Sequence, residues 1–254
     1  MRKLLLAALA ALLAAGSAQA IVNGEPDGAR HPYVAAIGFI DAATGRPGAF
    51  CSGTLVSPTV IVTAGHCTYH SAAAFVWFDP QWNPSKPPAA IGMPVTHPDF
   101  NPDRTLPNTG DLGVVLLDRP IQMAAYGALP GAGYLENLGR ARGHELAVSI
   151  VGYGLQSVDP PVRTGERTLG TARIKNLNSS IVRDYGLKIS GVNGSGRSGS
   201  CSGDSGGPIL HGDSNVVLAI QSFGDVDTCT GATYGYRTDT PSARAFLDDY
   251  VAVP

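Results

Sequence analysis

The sequence predicts an all-β protein that ends in one α-helix. Three observations support this: the composition, the short apolar segments separated by turn residues, and a change to helical spacing at the carboxyl end. The chain has 254 residues, 44% hydrophobic and 15% charged, with 32 Gly and 19 Pro. This is the composition of a folded, loop-rich protein with ample core, and it excludes disordered and fibrous classes.

Short apolar segments bounded by Gly, Pro, Asn or Asp are typical of β-strands. Seven such segments are predicted as strands, at residues 34–40, 50–56, 59–63, 112–117, 146–153, 208–210 and 216–222. A stretch rich in Pro and Gly at residues 119–139 is the best candidate for a connection between two halves of the chain.

The carboxyl end has the pattern of one amphipathic helix at residues 240–252. Thr240 is a suitable N-cap, and Pro241 fits the first helical turn. Apolar residues then recur at helical spacing, at Ala243, Phe246, Leu247, Tyr250 and Val251. Asp248 and Asp249 are expected to face solvent.

The first 20 residues have the pattern of a signal peptide. Arg2 and Lys3 precede an apolar run at residues 4–15, and the small residues Ala18 and Ala20 flank Gln19 at a cleavage site. A run of 12 residues is shorter than the roughly 18 needed to span a bilayer, so no membrane insertion is expected. The sequence therefore predicts a secreted protein whose mature chain begins at Ile21.

Charge and cysteine content exclude further classes of function. Without Arg2 and Lys3 the mature chain has 16 basic and 20 acidic residues, which gives no electrostatic basis for binding nucleic acid. Four cysteines in an exported chain predict two disulfides, in one of three pairings. No CxxC pair has the spacing of a zinc site, and neither a metal nor a cofactor is expected.

The strongest chemical signal is a serine among glycines, at residues 203–208 (GDSGGP). Glycines allow close backbone approach and a turn that directs consecutive N–H groups to one point, so Ser205 is a candidate nucleophile. His66 is the candidate base, because it directly follows an apolar strand and Cys67 can fix it. Asp111 heads the apolar run 112–117, where a buried carboxylate can orient one imidazole tautomer.

These residues resemble the trypsin- and chymotrypsin-like serine proteases. Four landmarks occur in the family's order: residues 21–24 (IVNG), 63–67 (TAGHC), 110–112 (GDL) and 203–208 (GDSGGP). The resemblance spans the mature chain, residues 21–254. It implies two packed antiparallel six-stranded β-barrels, at about residues 21–128 and 129–239, with the terminal helix after them and the site between them.

The resemblance also implies a role for each site residue. Ser205 attacks the peptide carbonyl, His66 transfers the proton, Asp111 stabilises the imidazolium, and the N–H groups of Gly203 and Ser205 bind the oxyanion. Cys51 would pair with Cys67, and Cys201 with Cys229. Protein or peptide substrates, protein inhibitors of proteases and a monomeric chain follow from the same resemblance.

Activation and specificity are further implications. A free ammonium at Ile21 would pair with Asp204 and convert a zymogen to the active form. Cleavage by signal peptidase would then itself activate the chain. A cut elsewhere followed by trimming is the alternative.

Gly199 occupies the base of the primary pocket, where a preference for Arg or Lys needs Asp. Ser222, Phe223 and Gly224 would form a wall and a substrate-binding edge. An apolar or aromatic preference is therefore expected.

Several details leave alternatives open. Thr233 or Tyr234 can shorten the pocket, and Asp225 and Asp227 near its rim keep a basic preference in play. Tyr153 and Phe223 stand where the family usually has tryptophan.

Two other classes were weighed. Residues 203–207 also fit the G-x-S-x-G elbow of α/β-hydrolases, but that triad order needs an acid and then a histidine after the serine, and His211 follows Ser205 with no acid between them. A non-catalytic, protease-like binding module is the second alternative, and such proteins normally lack one of the three catalytic residues.

Overall fold

The computed structural model describes residues 21–103, 107–142, 146–192 and 198–251, and the predicted signal peptide lies outside them. The elements of the first half are β1 (Glu25–Pro26), β2 (Val34–Asp41), β3 (Pro47–Ser57), β4 (Val60–Thr63), α1 (Gly65–Thr68), β5 (Ser71–Trp77), β6 (Ala90–Thr96) and β7 (Gly113–Leu117). Those of the second half are α2 (Tyr134–Arg142), β8 (Ala147–Gly152), β9 (Ser157–Val158), β10 (Pro161–Val162), β11 (Thr168–Asn176), β12 (Gly186–Ile189), β13 (Pro208–His211), β14 (Val217–Gly224), β15 (Thr233–Arg237) and α3 (Pro241–Leu247).

Six antiparallel strands close the first barrel, in the order β2, β3, β4, β7, β6 and β5. Strand β2 contacts both β3 and β5, which closes the barrel. Its core is made of β-branched and other apolar side chains that are fully buried, among them Ile37, Leu55, Ile61, Val76 and Val115. Closure pairs each of these six strands on both sides, which removes the exposed edges of an open sheet.

The second barrel has the order β8, β11, β12, β15, β14 and β13, and the pairing of β11 with β8 closes it. Strand β1 adds to β11 from outside, with Glu25 opposite Leu169. Ile21 is fully buried in the core of this barrel. The segment that begins at Ile21 therefore belongs with the second barrel, whereas the sequence placed residues 21–128 together in the first.

The predicted fold class is confirmed: two closed six-stranded antiparallel barrels are followed by a short helix. All seven predicted strands are present, with ends that differ by a few residues. The stretch 119–139 does connect the barrels, but the helix α2 begins within it at Tyr134. No helix in the described ranges is long and apolar enough to cross a membrane.

The terminal helix is shorter than predicted. Thr240 caps it by accepting a hydrogen bond from Ala243 N, and the helix ends at Leu247 with Asp248 as its C-cap. Residues 248–250 form a turn after the helix, in which the N–H groups of Tyr250 and Val251 both donate to Leu247 O. Tyr250 and Val251 still pack on the core, and Asp248 and Asp249 are exposed as expected. The helical spacing of Tyr250 and Val251 correctly predicted that both pack on the core, but it overestimated the length of the helix.

Candidate active site

His66 lies on a single helical turn fixed to the first barrel. Strand β4 ends at Thr63, and α1 follows at once with His66 as its second residue. A disulfide joins the next residue, Cys67, to Cys51 on β3. The imidazole is therefore carried by a segment that is covalently held to the barrel wall.

Asp111 lies directly beside His66 and is almost fully buried, just before β7. The backbone N–H of His66 donates to Asp111 Oδ1 over 2.8 Å. The imidazole Nδ1 lies 2.9 Å from Oδ2 and 3.0 Å from Oδ1 of the same carboxylate. The carboxylate thus fixes both the position of the His66 backbone and the orientation of its ring.

This contact shifts the pKa of both residues. Burial favours the uncharged form of the Asp111 carboxyl, but the charge and hydrogen bonds of His66, with a hydrogen bond from Ser222, outweigh it and lower the pKa of Asp111. Burial lowers the pKa of His66, and the charge and hydrogen bond of Asp111 outweigh that effect and raise it. Asp111 is thus held ionised next to an imidazole that gains a proton more readily than usual.

Ser222 is a third member of this cluster. The ladder between β14 and β15 shifts register between Gln221 and Phe223, which leaves Ser222 at a bulge. Its hydroxyl donates to Asp111 Oδ2. The sequence assigned Ser222 only to the substrate-binding edge, and the bulge that directs it at Asp111 has no signature in the sequence.

The serine loop packs against the turn that carries His66. At Gly206, where φ is +78°, a Cβ would lie 2.1 Å from Thr63 Oγ1 and 2.7 Å from Ala64 N, so only glycine fits. Ser205 O accepts from Ser52 N, on the strand that bears Cys51. The contacts of the described residues include no hydrogen bond between Ser205 Oγ and the His66 ring, and such bonds are often long in enzymes without substrate.

Hydrogen bonds hold the carbonyl groups of this loop, whereas three of its N–H groups, those of Ser202, Gly203 and Ser205, have no partner among the described residues. Cys201 O accepts from Asp204 N, Ser202 O from Leu155 N, and Gly203 O from Ser52 Oγ. Within the described part of the chain, the N–H groups of Gly203 and Ser205 have no protein partner. The resemblance implied these two groups as oxyanion donors, and both are free to take that role. Ser52, which anchors two of the carbonyls, was missed by sequence reasoning because its motif is only one serine after a cysteine.

Asp204 is fully buried next to these donors. Its carboxylate accepts from Gly154 N over 2.8 Å and from Cys201 N over 2.9 Å. Burial raises the pKa of Asp204 to about 7, and these hydrogen bonds and the charge of Arg163 offset only part of that effect. The site can therefore accept a cationic partner for this carboxylate.

The chain at Ile21 and Val22 is docked against the segment that leads to the serine loop. Val22 forms an antiparallel bridge with Gly199, with N–O distances of 3.0 and 3.1 Å. In the chain described here Ile21 follows Ala20, so its nitrogen is an amide, and it donates to Thr168 Oγ1 over 2.7 Å. An ammonium at this position is a property of the cleaved chain, and its pairing with Asp204 stays a prediction.

A cavity of about 310 Å³ opens beside Ser205. It is lined by the second disulfide, which joins Cys201 to Cys229, and by residues from both walls: Ser200, Ser202, Gln221, Ser222, Phe223, Gly224, Val226, Asp227 and Thr233. Gly199 is not among them: it is buried in the bridge with Val22, and a Cβ there would lie 2.5 Å from Cys229 O. A side chain at position 199 would need the Cys229 segment to move.

The far wall settles which of Thr233 and Tyr234 faces the cavity. Thr233 lines it, whereas Tyr234 is buried and its ring stacks on Phe223 at 4.8 Å between centroids. Of the two rim acids, Asp225 pairs with Lys188 Nζ at 3.9 Å, and Asp227 is exposed and lines the cavity. The pocket therefore combines hydroxyl and amide groups with one carboxylate on its rim.

Among the described residues, one cluster has potential metal ligands, and His66 is part of it. The ligand atoms of Cys51, His66 and Cys67 lie within 4.8 Å of one another. Both sulfurs are joined in a disulfide and cannot bind a metal as thiolates. This cluster is therefore a structural staple beside the imidazole.

Comparison with known proteins identifies the family. The model of the Trypsin family matches residues 21–247. A brachyurin from Leptuca pugilator is 27% identical over 78% of this chain and 85% of its own, and a trypsin from Phaedon cochleariae is 29% identical over 79% and 78%. A trypsin from Saccharopolyspora erythraea is 26% identical over 81% and 87%.

Among solved structures, HL collagenase has the same fold, with a TM-score of 0.72 and 19% identity over 90% of this chain and 97% of that one. Residues 21–247, which match the family model, contain both barrels and every residue of the site described above. The chain therefore belongs to the trypsin family, and it is a trypsin/chymotrypsin-like serine endopeptidase that acts on protein or peptide substrates.

Proposed function

We propose that this endopeptidase cleaves peptide bonds through an acyl-enzyme formed on Ser205, with His66 as general base and acid and Asp111 as the group that orients it. The observation that carries the proposal is the buried carboxylate of Asp111, which contacts both the backbone N–H and Nδ1 of His66. Nδ1 is thereby kept protonated, which leaves Nε2 free to accept the proton of Ser205.

One proton is transferred through His66 in both halves of the reaction, acylation and deacylation. Ser205 Oγ adds to the substrate carbonyl as its proton passes to His66 Nε2, and the imidazolium is stabilised by Asp111. The free N–H groups of Gly203 and Ser205 bind the negative oxygen. The proton then moves from His66 to the leaving amine, and water repeats the sequence on the acyl-enzyme.

Labelling by a fluorophosphonate and mapping of cuts test this mechanism. We expect the wild-type chain to be labelled at Ser205 and inactivated, and the Ser205→Ala and His66→Ala variants to cut no peptide. Ser85→Ala, at an exposed serine outside the site, serves as a matched control and should retain full activity. Cutting that survives Ser205→Ala would exclude the mechanism, whereas the non-catalytic alternative requires that no variant, including wild type, cuts.

The primary pocket is proposed to accept apolar or aromatic side chains. No acid lies at position 199, and the Cys229 carbonyl fills the space where its side chain would begin. Mass-spectrometric mapping of cuts in a mixed peptide library tests this preference through the residue before each cut. A map dominated by Arg or Lys would overturn it, and loss of those cuts in Asp227→Asn would then assign the basic preference to the rim carboxylate.

Export and activation are proposed to be one event. Residues 1–20 are proposed as a signal peptide, and cleavage after Ala20 would expose the Ile21 ammonium to the buried Asp204 carboxylate. The bridge between Val22 and Gly199 supports this pairing because it holds the chain start against the segment that leads to Asp204. Mass analysis of the secreted protein should give Ile21 as its first residue. An inactive product that starts earlier would require a second protease.

A further inference from the structure

The peptide that joins Ser202 to Gly203 determines where one oxyanion donor points. A trans peptide is planar, so its carbonyl oxygen and its N–H point in opposite directions. Gly203 has φ of +101° and no Cβ, and this peptide plane can rotate with little steric resistance. A rotated peptide would present the Ser202 carbonyl, instead of the Gly203 N–H, to the oxyanion. The groups that hold the Ser202 carbonyl therefore determine whether the Gly203 N–H can reach the oxyanion.

Two donors hold the Ser202 carbonyl in its present direction. Leu155 N donates to Ser202 O over 2.9 Å, and Nη2 of Arg163 donates over 3.1 Å. The other terminal nitrogen of Arg163, Nη1, donates to Tyr153 O over 3.0 Å. One guanidinium thus joins the oxyanion loop to the chain that leaves β8.

The guanidinium is fixed in place by its surroundings. It lies over the ring of Phe50, at 4.6 Å from the centroid, in the geometry of a cation–π contact. Gly203 also adjoins the guanidinium, because a Cβ there would lie only 2.4 Å from Nη1. Arg163 therefore fits this position only because residue 203 has no side chain. A planar donor with two parallel N–H groups suits two carbonyls in a way that an ammonium does not.

We propose that Arg163 is a positioning residue that keeps the Gly203 N–H directed at the oxyanion by holding the Ser202 carbonyl away from it. Its charge also polarises the same peptide, because a bond donated to the carbonyl strengthens the N–H as a donor. The effect belongs to the transition state, in which the oxyanion forms, and not to substrate binding. This inference rests on the proposed function of Gly203 as an oxyanion donor.

Kinetics on a peptide anilide that has no residues after the cleaved bond test the proposal, since such a substrate cannot contact Arg163 through its leaving side. We expect Arg163→Ala to lower kcat by about 10- to 100-fold with KM within twofold, a fraction of the loss caused by removing a whole donor. Arg163→Lys should recover part of this loss, and millimolar guanidinium should raise the activity of Arg163→Ala. Arg119→Ala is the control, because Arg119 is an exposed arginine outside the site, and its kcat and KM should equal those of wild type.

A transition-state analogue gives a second measurement. A peptide aldehyde forms a tetrahedral oxyanion on the serine. Its affinity should fall in proportion to kcat in Arg163→Ala and Arg163→Lys and stay unchanged in Arg119→Ala. The melting temperatures of all three variants should stay close to that of wild type. Unchanged kcat in Arg163→Ala, or a rise in KM alone, would overturn the role of Arg163 while Ser205→Ala remains inactive. Activity that persists in Ser205→Ala would overturn the proposed function and this inference together.

Discussion

The carboxylate of Asp111 accepts two hydrogen bonds from His66, one from the backbone N–H and one from the ring Nδ1. The backbone contact places the residue, and the ring contact selects the tautomer. A single buried acid therefore couples β7 of the first barrel to the turn that follows β4. Ser222, from the second barrel, donates to the same carboxylate, and so this acid also joins the two halves of the site.

Replacing Asp111 with Asn should lower kcat/KM by about 10⁴-fold, because an amide can stabilise the wrong tautomer of His66 and carries no charge. The measurement is steady-state hydrolysis of a peptide anilide by folded protein. Asp118→Asn, at an exposed residue just after β7, is the matched control and should behave as wild type. A loss below tenfold in Asp111→Asn would show that another acid orients the imidazole.

The activity of the wild-type chain should depend on one ionisation on the acid side. His66 must be neutral to accept the proton of Ser205, and Asp111 raises its pKa above the ordinary value of 6.5. We expect kcat/KM to rise with pH through a midpoint above 6.5 and then to level off. Fluorophosphonate labelling of Ser205 should follow the same curve. A midpoint well below 6.5 would mean that burial outweighs the carboxylate.

Ser222→Ala should reduce kcat/KM about 3- to 10-fold and move the acid midpoint upward. The Ser222 hydroxyl takes part of the charge of Asp111, and without it more of that charge acts on His66 and raises its pKa. The pH profile separates this effect from a loss of substrate binding, which would raise KM without moving the midpoint. A downward shift would contradict the assignment.

The state of the chain start should control stability in a pH-dependent way. In a chain that retains Ala20, burial raises the pKa of Asp204 from 3.8 to about 7, and its ionisation costs stability as pH rises between those values, by up to about 4 kcal/mol. A chain that begins at Ile21 supplies an ammonium and avoids this loss. Urea unfolding should give equal stabilities near pH 4 and a clear advantage for the Ile21 chain at pH 8.

Asp204→Asn provides the control for that comparison, since it removes the ionisable group while keeping the hydrogen-bond acceptor. In this background the chains with and without Ala20 should unfold alike at both pH values. An advantage of the Ile21 chain that persists in Asp204→Asn would place its origin elsewhere in the docked segment.

Removing the disulfide between Cys51 and Cys67 as a double alanine variant should cost roughly 3 kcal/mol, the value expected for a closed loop of this length. Because Cys67 follows His66, we also expect kcat to fall. Chemical denaturation and kinetics on the same preparation measure both effects. Unchanged activity with lowered stability would show that Asp111 alone is enough to hold the imidazole.

Much of this architecture could be predicted from local patterns. Strands such as β2 and β4 are continuous apolar runs, and the landmarks around His66, Asp111 and Ser205 are long motifs with distinctive spacing. Eight of the 15 strands in the described part of the chain were not predicted, and β11 is one of them, although its residues 171–175 alternate between exposed and buried positions in the way a half-buried strand requires. Its Arg and Lys residues on the exposed face concealed the alternation.

Other features depend on contacts between distant segments and have no local signature. Arg163 lies in a loop of ordinary composition, and its partners Tyr153 and Ser202 are 10 and 39 positions away. Gly199 was expected in the pocket from its distance to Ser205, but the bridge with Val22 and the Cys229 carbonyl place it outside the lining. Such details follow from how the barrels pack and not from the residues themselves.

The central claim is that Ser205 is the nucleophile of an endopeptidase. The most direct measurement is mass-spectrometric mapping of cuts in a mixed peptide library by the Ile21 chain beside its Ser205→Ala variant. We expect cuts with wild type alone, with apolar or aromatic residues before the cleaved bond. Equal cutting by both proteins, or none by a correctly processed and folded wild type, would contradict it.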